Sequence, residues 1–445
     1  MAVAPQQEKP MFAKALNGLA LPYTDEPITW GRMTALELQA ESITTLNLPP
    51  LAPADIALLA PLLDKRMPFL EELSITYDNP CPFDPSYLPP KFYLSSRRFP
   101  YLRTLRIRGI VIDMAEEEFF RKLRHLELRD YANDERCLPF TEFMHAMDGC
   151  HELETLEIRN YGRIFDTDTE EPEQPAVLRS LRKLVIEDTP PVLALLIKYL
   201  SIPQTANVHL IVDMSETSRE YDNDFGDTFA YVLSDDTHTL SFLPEITAIE
   251  VNLIGNTYQF VGETPLHNKL VIDIDMDAVI KQGSPTKRAE LFDSTVRNLG
   301  LALHESTVMI ASLKGDLSGV TRESWHRGLR GLRSLMKVEI VDTSTDGDGD
   351  GVRAFFEALV SPLEPADGCQ KMVCTSLESI AVGGATYSRA LMEAIGKYLH
   401  QRAEGGAKLR SLWVELRPDD TIDRIEFSHF FVEYFALADV FYIGS

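Results

Sequence analysis

The stretch LRTLRIRG, residues 102–109, decides the fold of this chain. Side chains alternate between the two faces of an extended strand, so Leu105 and Ile107 would point to one face. Arg106 and Arg108 would point to the other. A single strand cannot bury such an apolar face by itself, and copies of it must stack side by side. The stretch therefore predicts one strand of a repeated array.

The same phrase, L-x-x-L-x-[IL]-x-x, recurs through the sequence. The copies are LEELSITY (70–77), LRTLRIRG (102–109), LRHLELRD (123–130), LETLEIRN (153–160), LRKLVIED (181–188), LESIAVGG (377–384) and LRSLWVEL (409–416), with a degenerate copy, LMKVEIVD (335–342). The steps are uneven, at 32 residues from Ile75 to Ile107 and 21 from Ile107 to Leu128. This form is the strand signature of a leucine-rich repeat with insertions between strands.

Amphipathic helical patterns lie between the strand phrases. Apolar residues at 140–147, 192–199 and 391–398 follow the i, i+3, i+4, i+7 spacing of a helix with one buried face. Strand and helix therefore alternate, and consecutive strands should pair in parallel through helical crossovers. We expect an α/β fold, a leucine-rich-repeat solenoid of irregular repeats with a parallel concave sheet and convex helices. An ordinary α/β sandwich with leucine-rich strands is the alternative.

The repeats divide the chain into a short N-terminal segment and one long array. Residues 1–33 are expected to form a tail or a cap that shields the open edge of the array. Residues 34–445 form the predicted solenoid, with repeats that are clear at 34–213 and 331–416 and weak at 214–330. In the weak part, the candidate strands are 247–253, 269–275 and 306–313, and a candidate helix spans 291–299.

The composition limits the classes of partner and the cellular location that we expect. The formal charge is −25, from 68 acidic and 43 basic residues, so nucleic acid and anionic membranes would repel the chain. We find no apolar run long enough to cross a bilayer and no signal-peptide pattern. The five cysteines are an odd, scattered set without zinc-ligand spacing. An intracellular protein with reduced thiols, in the cytoplasm or nucleus, is expected, with a partner that offers a basic or neutral surface.

One further stretch carries a family resemblance. In LLIKYLSIPQTANVHLIVD (195–213) a helical segment ends at Tyr199-Leu200, and Ile202-Pro203 leads into a valine-rich strand. Among the repeat phrases, this layout resembles the C-terminal leucine-rich-repeat regions of fungal, basidiomycete-type F-box proteins. The resemblance implies the target-recognition part of a ubiquitin ligase substrate receptor. In that family an F-box docks a Skp-type adaptor, but no F-box is evident here, because Leu21-Pro22-Tyr23-Thr24 does not continue as that motif.

An acidic loop offers a second interpretation. DTSTDGDGDGVRAFFEAL (342–359) places carboxylates at positions 1, 3, 5 and 12 of an EF-hand calcium loop, and these residues are Asp346, Asp348, Asp350 and Glu357. An EF-hand needs a helix before the loop, whereas 335–342 alternates like a strand. The repeat frame predicts a strand, a polar connector and a helix without metal. A calcium-responsive interaction protein remains the alternative.

Enzymatic motifs do not appear. We find no nucleophile elbow, phosphate loop, dinucleotide fingerprint or HExxH in the sequence. We therefore predict a protein-interaction scaffold, not an enzyme, without a cofactor. A hydrolase with an unrecognised site, placed in a pocket of 214–330, is the less favoured alternative.

The candidate partner-binding residues come from aligning the repeat phrases. They are Arg106, Arg108, Arg129, Arg159 and Trp413. Arg108, Arg129 and Arg159 occupy one position of successive phrases, so parallel strands about 4.8 Å apart would set them in a row.

Two interpretations of this arginine row are open. Arg106, Glu127 and Glu157 lie in the next column and would neutralise the row diagonally. Alternatively, the row receives an acidic segment of a protein partner, since arginine binds carboxylates in a bidentate manner. Trp413, in the column of Arg106, is expected to be an aromatic contact anchor or to be covered by the C-terminal segment.

Overall fold

The structure is a computed structural model of the 445-residue chain. It describes residues 19–21, 29–77, 91–114, 116–130, 138–162, 165–166, 172–214, 232–233, 240–254, 256–275, 286–344, 349–360, 373–417, 429–430, 432, 434 and 437–444. The chain divides into two compact units, Met1–Ser180 and Leu181–Ser445. Each unit combines helices with a sheet whose strands are mostly parallel.

The first unit is built on a fully parallel sheet. Its strands are β1 Leu19–Leu21, β2 Ile43–Asn47, β3 Glu72–Thr76, β4 Lys91–Phe92, β5 Thr104–Arg108, β6 Val111–Ile112, β7 His125–Arg129, β8 Leu138–Pro139, β9 Thr155–Arg159, β10 Phe165–Asp166 and β11 Ala176–Val177. The sheet runs β1, β2, β3, β5, β7, β9. β4 pairs with β6, and β8 pairs with β10. The strands of LRTLRIRG and LRHLELRD are adjacent, as predicted.

Alternation sets the two faces of this sheet. In β5, Leu105 and Ile107 are buried, whereas Arg106 and Arg108 are exposed. A slip of one residue in register would expose every apolar side chain of a strand, so burial of one face fixes the pairing. The strand and the alternation predicted for the quoted stretch are confirmed.

The helices of the first unit are α1 Trp30–Gln39, α2 Pro53–Leu63, α3 Glu117–Phe120 and α4 Phe140–Asp148, with a 3₁₀ turn at Ala40–Ser42. Two of them, α1 and α2, have clear start signals. The hydroxyl of Thr29 accepts a hydrogen bond from Arg32 N at 3.4 Å and caps α1. Pro53 opens α2 at a position where no backbone N–H is needed.

The second unit continues the alternation of strand and helix. Its strands are β12 Lys183–Asp188, β13 Leu200–Ser201, β14 Asn207–Val212, β15 Ala248–Ile254, β16 Thr257–Glu263, β17 Lys269–Asp275, β18 Ile310–Gly315, β19 Lys337–Asp342, β20 Ser379–Ala385, β21 Leu409–Leu416 and β22 Ala438–Gly444. Its helices are α5 Pro190–Tyr199, α6 Thr286–Ala302, α7 Arg322–Gly331, α8 Asp350–Val360 and α9 Arg389–Glu404, with a 3₁₀ turn at Leu243–Glu245. The predicted helices at 140–147, 192–199 and 391–398 are confirmed.

The strand order of the second unit departs from simple succession. The sheet runs β12, β14, β17, β16, β15, β18, β19, β20, β21, β22. β16 is antiparallel to both neighbours, and all other neighbouring pairs of this unit's sheet are parallel. The prediction that consecutive strands always pair in parallel is therefore wrong at β15–β17. The three candidate strands expected in 214–330 are confirmed, whereas β16 was not expected.

The segment predicted as a tail or cap contributes a strand to the end of the sheet. Within residues 1–33, β1 pairs with β2, with Leu21 opposite Leu46. Helix α1 begins at Trp30 and crosses the predicted boundary. The sheet thus takes its first strand from the segment that the repeat pattern did not include.

Tight packing of two helices shapes the second unit. α6 and α7 meet through glycines: a Cβ placed on Gly328 would lie 2.0 Å from the carbonyl oxygen of Val296, and one on Gly331 would lie 2.0 Å from that of Gly300. Real Cβ atoms do not approach so closely. Only glycine lets these two backbones touch.

Candidate interaction surface

The exposed face of the first unit's sheet carries the predicted columns. Arg108 lies opposite Arg129, and Arg129 lies opposite Arg159. In the neighbouring column Glu127 lies between Arg106 and Glu157. The structure therefore brings together the four arginines of the first unit that the repeat alignment selected.

Carboxylates neutralise this arginine row. Arg108 Nε lies 2.6 Å from Asp130 Oδ2, and Arg129 Nε lies 2.5 Å from Glu127 Oε1. Glu157 Oε2 lies 3.2 Å from Nη2 of Arg129 and 3.7 Å from Nη2 of Arg159. This is the diagonal neutralisation that the first interpretation expects, and the binding of a partner's acidic segment by the row stays a prediction.

Arg106 belongs to the same network. Its guanidinium pairs with Glu72 of β3 and lies 3.6 Å from Glu127 Oε2 of β7. Arg106 thus bridges the strands on either side of its own. Because these side chains are exposed or half-buried, each pair adds only modest stability, of the order of 0–1 kcal/mol.

The sequence analysis did not predict one of the carboxylates that pair with the arginine row. Asp130 is the last residue of its repeat phrase and has φ of 53°, a left-handed conformation that turns the chain after the strand. Gly109 (φ 69°) and Asn160 (φ 49°) occupy the same place in their phrases. Glycine, asparagine and aspartate tolerate this conformation best, so the signal was present in the eighth position of the phrase.

Trp413 lies on the exposed face of the second unit's sheet. It is opposite Ala381 on one side and Tyr442 on the other. The rings of Trp413 and Tyr442 stack at 3.8 Å between centroids, with an interplanar angle of 25°. Trp413 is 47% exposed and Tyr442 is 42% exposed. The C-terminal strand therefore covers one face of the indole. We did not predict Tyr442, because ADVFYIG lacks the leucine phrase.

The described segments on either side of the acidic loop differ from those of an EF-hand. Asp346 and Asp348 lie outside the described residues. The segment before the loop is β19, a strand, as the repeat frame predicted. Asp350, the fifth loop position, is already the first residue of α8, and Arg353 contacts both it (3.2 Å) and Glu357 (3.6 Å). Within the described ranges, no group of three or more His, Cys, Asp or Glu side chains could hold a metal ion.

A cleft in the 214–330 region bears on the hydrolase alternative. It has a volume of about 490 Å³ and is lined by residues 240–241, 243–244 and 301–306. Ser241 donates its hydroxyl to the carbonyl of Ile202, and Ser306 donates to that of Leu303. His304 Nδ1 lies 2.9 Å from Leu301 O. Both serine hydroxyls of the cleft are thus bound to backbone carbonyls.

A histidine–aspartate pair lies elsewhere on the same sheet. His209 Nε2 lies 2.7 Å from Asp273 Oδ2, and Gln259 Nε2 donates to Asp273 Oδ1 at 2.8 Å. The hydrogen bond from His209 lowers the pKa of Asp273 below its usual range, against the effect of partial burial. In the part of the chain that the structure describes, no serine, threonine or cysteine side chain hydrogen-bonds to His209. The pair therefore lacks the nucleophile that a catalytic triad would need.

No protein-family model matches the chain, and no curated protein matches it. Among the described helices, none is long and apolar enough to cross a membrane.

Proposed function

We propose that the chain is a protein-interaction scaffold, the target-recognition leucine-rich-repeat solenoid of an F-box-like protein. The observation that carries this proposal is the open face of the sheets. Along successive strands, alternate residues face outward with charged, polar or aromatic side chains in register, as at Arg106–Glu127–Glu157 and Trp413–Tyr442. Repeats of this kind use an extended sheet surface to bind partners.

Charge compensation supports binding over catalysis on this face. A row of three arginines is held by Asp130, Glu127 and Glu157, so its guanidinium groups are oriented before any partner arrives. A partner that presents an acidic segment would exchange these internal pairs for external ones. Such preorganisation lowers the entropic cost of association.

The proposal can be tested separately for binding of a Skp-type adaptor and for binding of calcium. A Skp-type adaptor would join the chain only through an F-box, so pull-down with that adaptor tests the ligase branch. The calcium-responsive alternative predicts a rise of several degrees in melting temperature with calcium, reversed by chelator. The geometry at Asp350 favours no rise. A cytoplasmic or nuclear protein is part of the same proposal.

The test of the proposal replaces Arg108, Arg129 and Arg159 together by glutamine. The partner is first recovered with the full chain from the native source. We expect its affinity to fall at least tenfold, while the free energy of unfolding changes by no more than about 1–2 kcal/mol, because the lost ion pairs are exposed or half-buried.

A matched control removes the same charge elsewhere in the first unit. Arg66, Arg97 and Arg179 are exposed and lie outside the row, and their triple replacement by glutamine should leave the affinity unchanged. Lost stability with unchanged affinity in the row variant would show that the row is structural, and the arginines would leave the binding surface.

A further inference from the structure

The strands around Trp413 form a narrow slot on the exposed sheet face. Glu339 of β19, Ala381 of β20, Trp413 of β21 and Tyr442 of β22 are in register. Tyr442 stacks on one face of the indole, which leaves the other face turned towards Ala381. Since Ala381 has only a methyl side chain, a gap remains between the indole and Glu339, two strand spacings or about 9.6 Å away.

The next outward-facing position along β20 and β21 forms the floor and the end of the slot. There Gly383, two residues after Ala381, is opposite Glu415. The floor therefore has no bulky side chain, and the end of the slot is acidic. Glu415 is exposed. Within the described residues, it has no hydrogen-bond or ion-pair partner. Glu339 accepts from the Ser312 hydroxyl at 2.9 Å through Oε2, which leaves its other oxygen for a ligand.

We propose that this slot binds the guanidinium group of an arginine side chain from a basic segment of a protein partner. The inference rests on the proposed scaffold function and names the chemistry of one contact. An open indole face with carboxylates at the side and end is a site for a planar cation. The stacked group would lie on Trp413 above Ala381, with its N–H groups directed to Glu415 and Glu339.

Physical chemistry favours a guanidinium here. Tryptophan is the best aromatic partner for a cation, and arginine stacks flat on it while its fork of donors binds carboxylates. The formal charge of −25 attracts a basic segment and speeds its association. The compensated arginine row of the first unit, in contrast, offers a basic segment nothing to pair with.

Nearby lysine and arginine side chains determine which carboxylate of the slot is left to attract a cation. Lys314 approaches Glu339 Oε2 at 3.8 Å from the β18 side, and Lys337 lies two residues before Glu339 in β19. Arg417 donates to the backbone carbonyl of Asp342 at 3.0 Å, and Arg410 pairs with Glu378 at 2.9 Å. The uncompensated Glu415 therefore dominates the attraction, and Glu339 makes the smaller contribution.

The test uses a pair of peptide probes on the full chain. One is a fluorophore-labelled nonapeptide of glycine and serine with a single central arginine, and the other carries citrulline, which keeps the shape without the charge. We expect the arginine peptide to bind about three- to thirtyfold tighter, from one cation–π contact and one exposed ion pair. Trp413→Leu should weaken arginine binding about two- to fivefold, and Trp413→Phe should recover part of the loss.

Matched variants decide between a specific slot and general acidity. Glu415→Gln should weaken arginine binding and reduce its salt dependence. Glu404→Gln removes an exposed carboxylate from the end of α9, and Trp30→Leu removes an exposed indole from α1. Both controls should leave binding unchanged.

Equal affinity for the arginine and citrulline peptides would overturn the proposal, and so would equal effects of Trp413→Leu and Trp30→Leu. The scaffold proposal fails by a different result, which is that the chain retains no protein from its native source. The peptide pair alone decides the slot, so the two failures are distinguishable.

Discussion

Replacing Gly328 by alanine tests the packing of the second unit most severely. In an open helix this change stabilises by up to about 1 kcal/mol, because alanine loses less backbone entropy. Here the new Cβ would lie 2.0 Å from Val296 O and 3.1 Å from Val296 C. Ordinary contact begins near 3.4 Å, so α6 and α7 must separate by roughly 1.4 Å. Overpacking of this kind costs about 1–3 kcal/mol, and the entropic gain of up to about 1 kcal/mol offsets part of it, so we expect a net loss of about 1–2 kcal/mol.

The assay is urea unfolding followed by the emission of Trp325, which is buried within α7. Trp30 and Trp413 are replaced by phenylalanine in both proteins, so that one indole reports. Gly31→Ala is the matched control, because Gly31 lies in α1 with nothing within 4 Å of its added Cβ. Gly31→Ala should be neutral or slightly stabilising by circular dichroism. A Gly328→Ala variant as stable as its parent would refute the close approach of the two helices.

Three further predictions concern buried or titrating groups. Arg402 is buried, and among the described residues it has no carboxylate partner. It donates to backbone carbonyls, with Nε 2.7 Å from Ala407 O and Nη2 2.6 Å from Leu377 O. Arg402→Met should therefore cost at least about 2 kcal/mol in urea unfolding, and an unchanged midpoint would contradict this network. The folded-state pKa of Asp273 is lowered, mainly by the hydrogen bond from His209, so its contribution is present above the unfolded pKa of about 3.9 and is lost as the pH falls through the folded value. Asp273→Asn should then show a smaller acid-induced loss of stability than the parent between about pH 5 and 2, and parallel curves would contradict the linkage. Burial raises the pKa of the Cys150 and Cys374 thiols to about 12, so neither should react with a thiol reagent at pH 8 in the native protein, as peptide mapping by mass spectrometry would show. Rapid labelling of either would contradict its burial.

Local patterns in the sequence predicted a large part of the fold. Burial of one strand face fixes both the alternation and the register, so Leu105, Ile107 and their counterparts were sufficient to place Arg108 beside Arg129. The helices at 140–148 and 389–404 followed from their apolar spacing. These features depend on residues close together in the chain or on one repeated phrase.

Strand direction could not be predicted in the same way. In β16, Tyr258 and Phe260 alternate with polar residues as they would in a parallel strand, because alternation carries no information about direction. The reversed order of β15–β17 depends on which edge each strand finds, and that is decided by packing. The repeat phrase also gave no signal for β22, whose Tyr442 completes the aromatic pair.

The candidate site was predicted in part. The arginine row and Trp413 came from the repeat alignment, whereas Asp130 and Tyr442 came only from the structure. Asp130 acts because its left-handed backbone turns its carboxylate to Arg108, which lies on the adjacent strand. The alternation within the strands places Arg108, whereas the position of the Asp130 carboxylate depends on how the backbone turns after the strand ends, which the alternation does not specify.

Site-specific photo-crosslinking can show whether the partner binds the exposed sheet face. Lys337 lies on that face in β19 and Lys397 lies on the exposed side of α9, so the two positions match in residue type, exposure and unit. Each is replaced in turn by p-benzoylphenylalanine in the full chain, and the cross-linked protein from native extract is identified by mass spectrometry. If the partner binds the sheet face, a specific adduct forms from position 337 and none from position 397. An adduct from 397 alone would contradict it and move the binding surface to the helices.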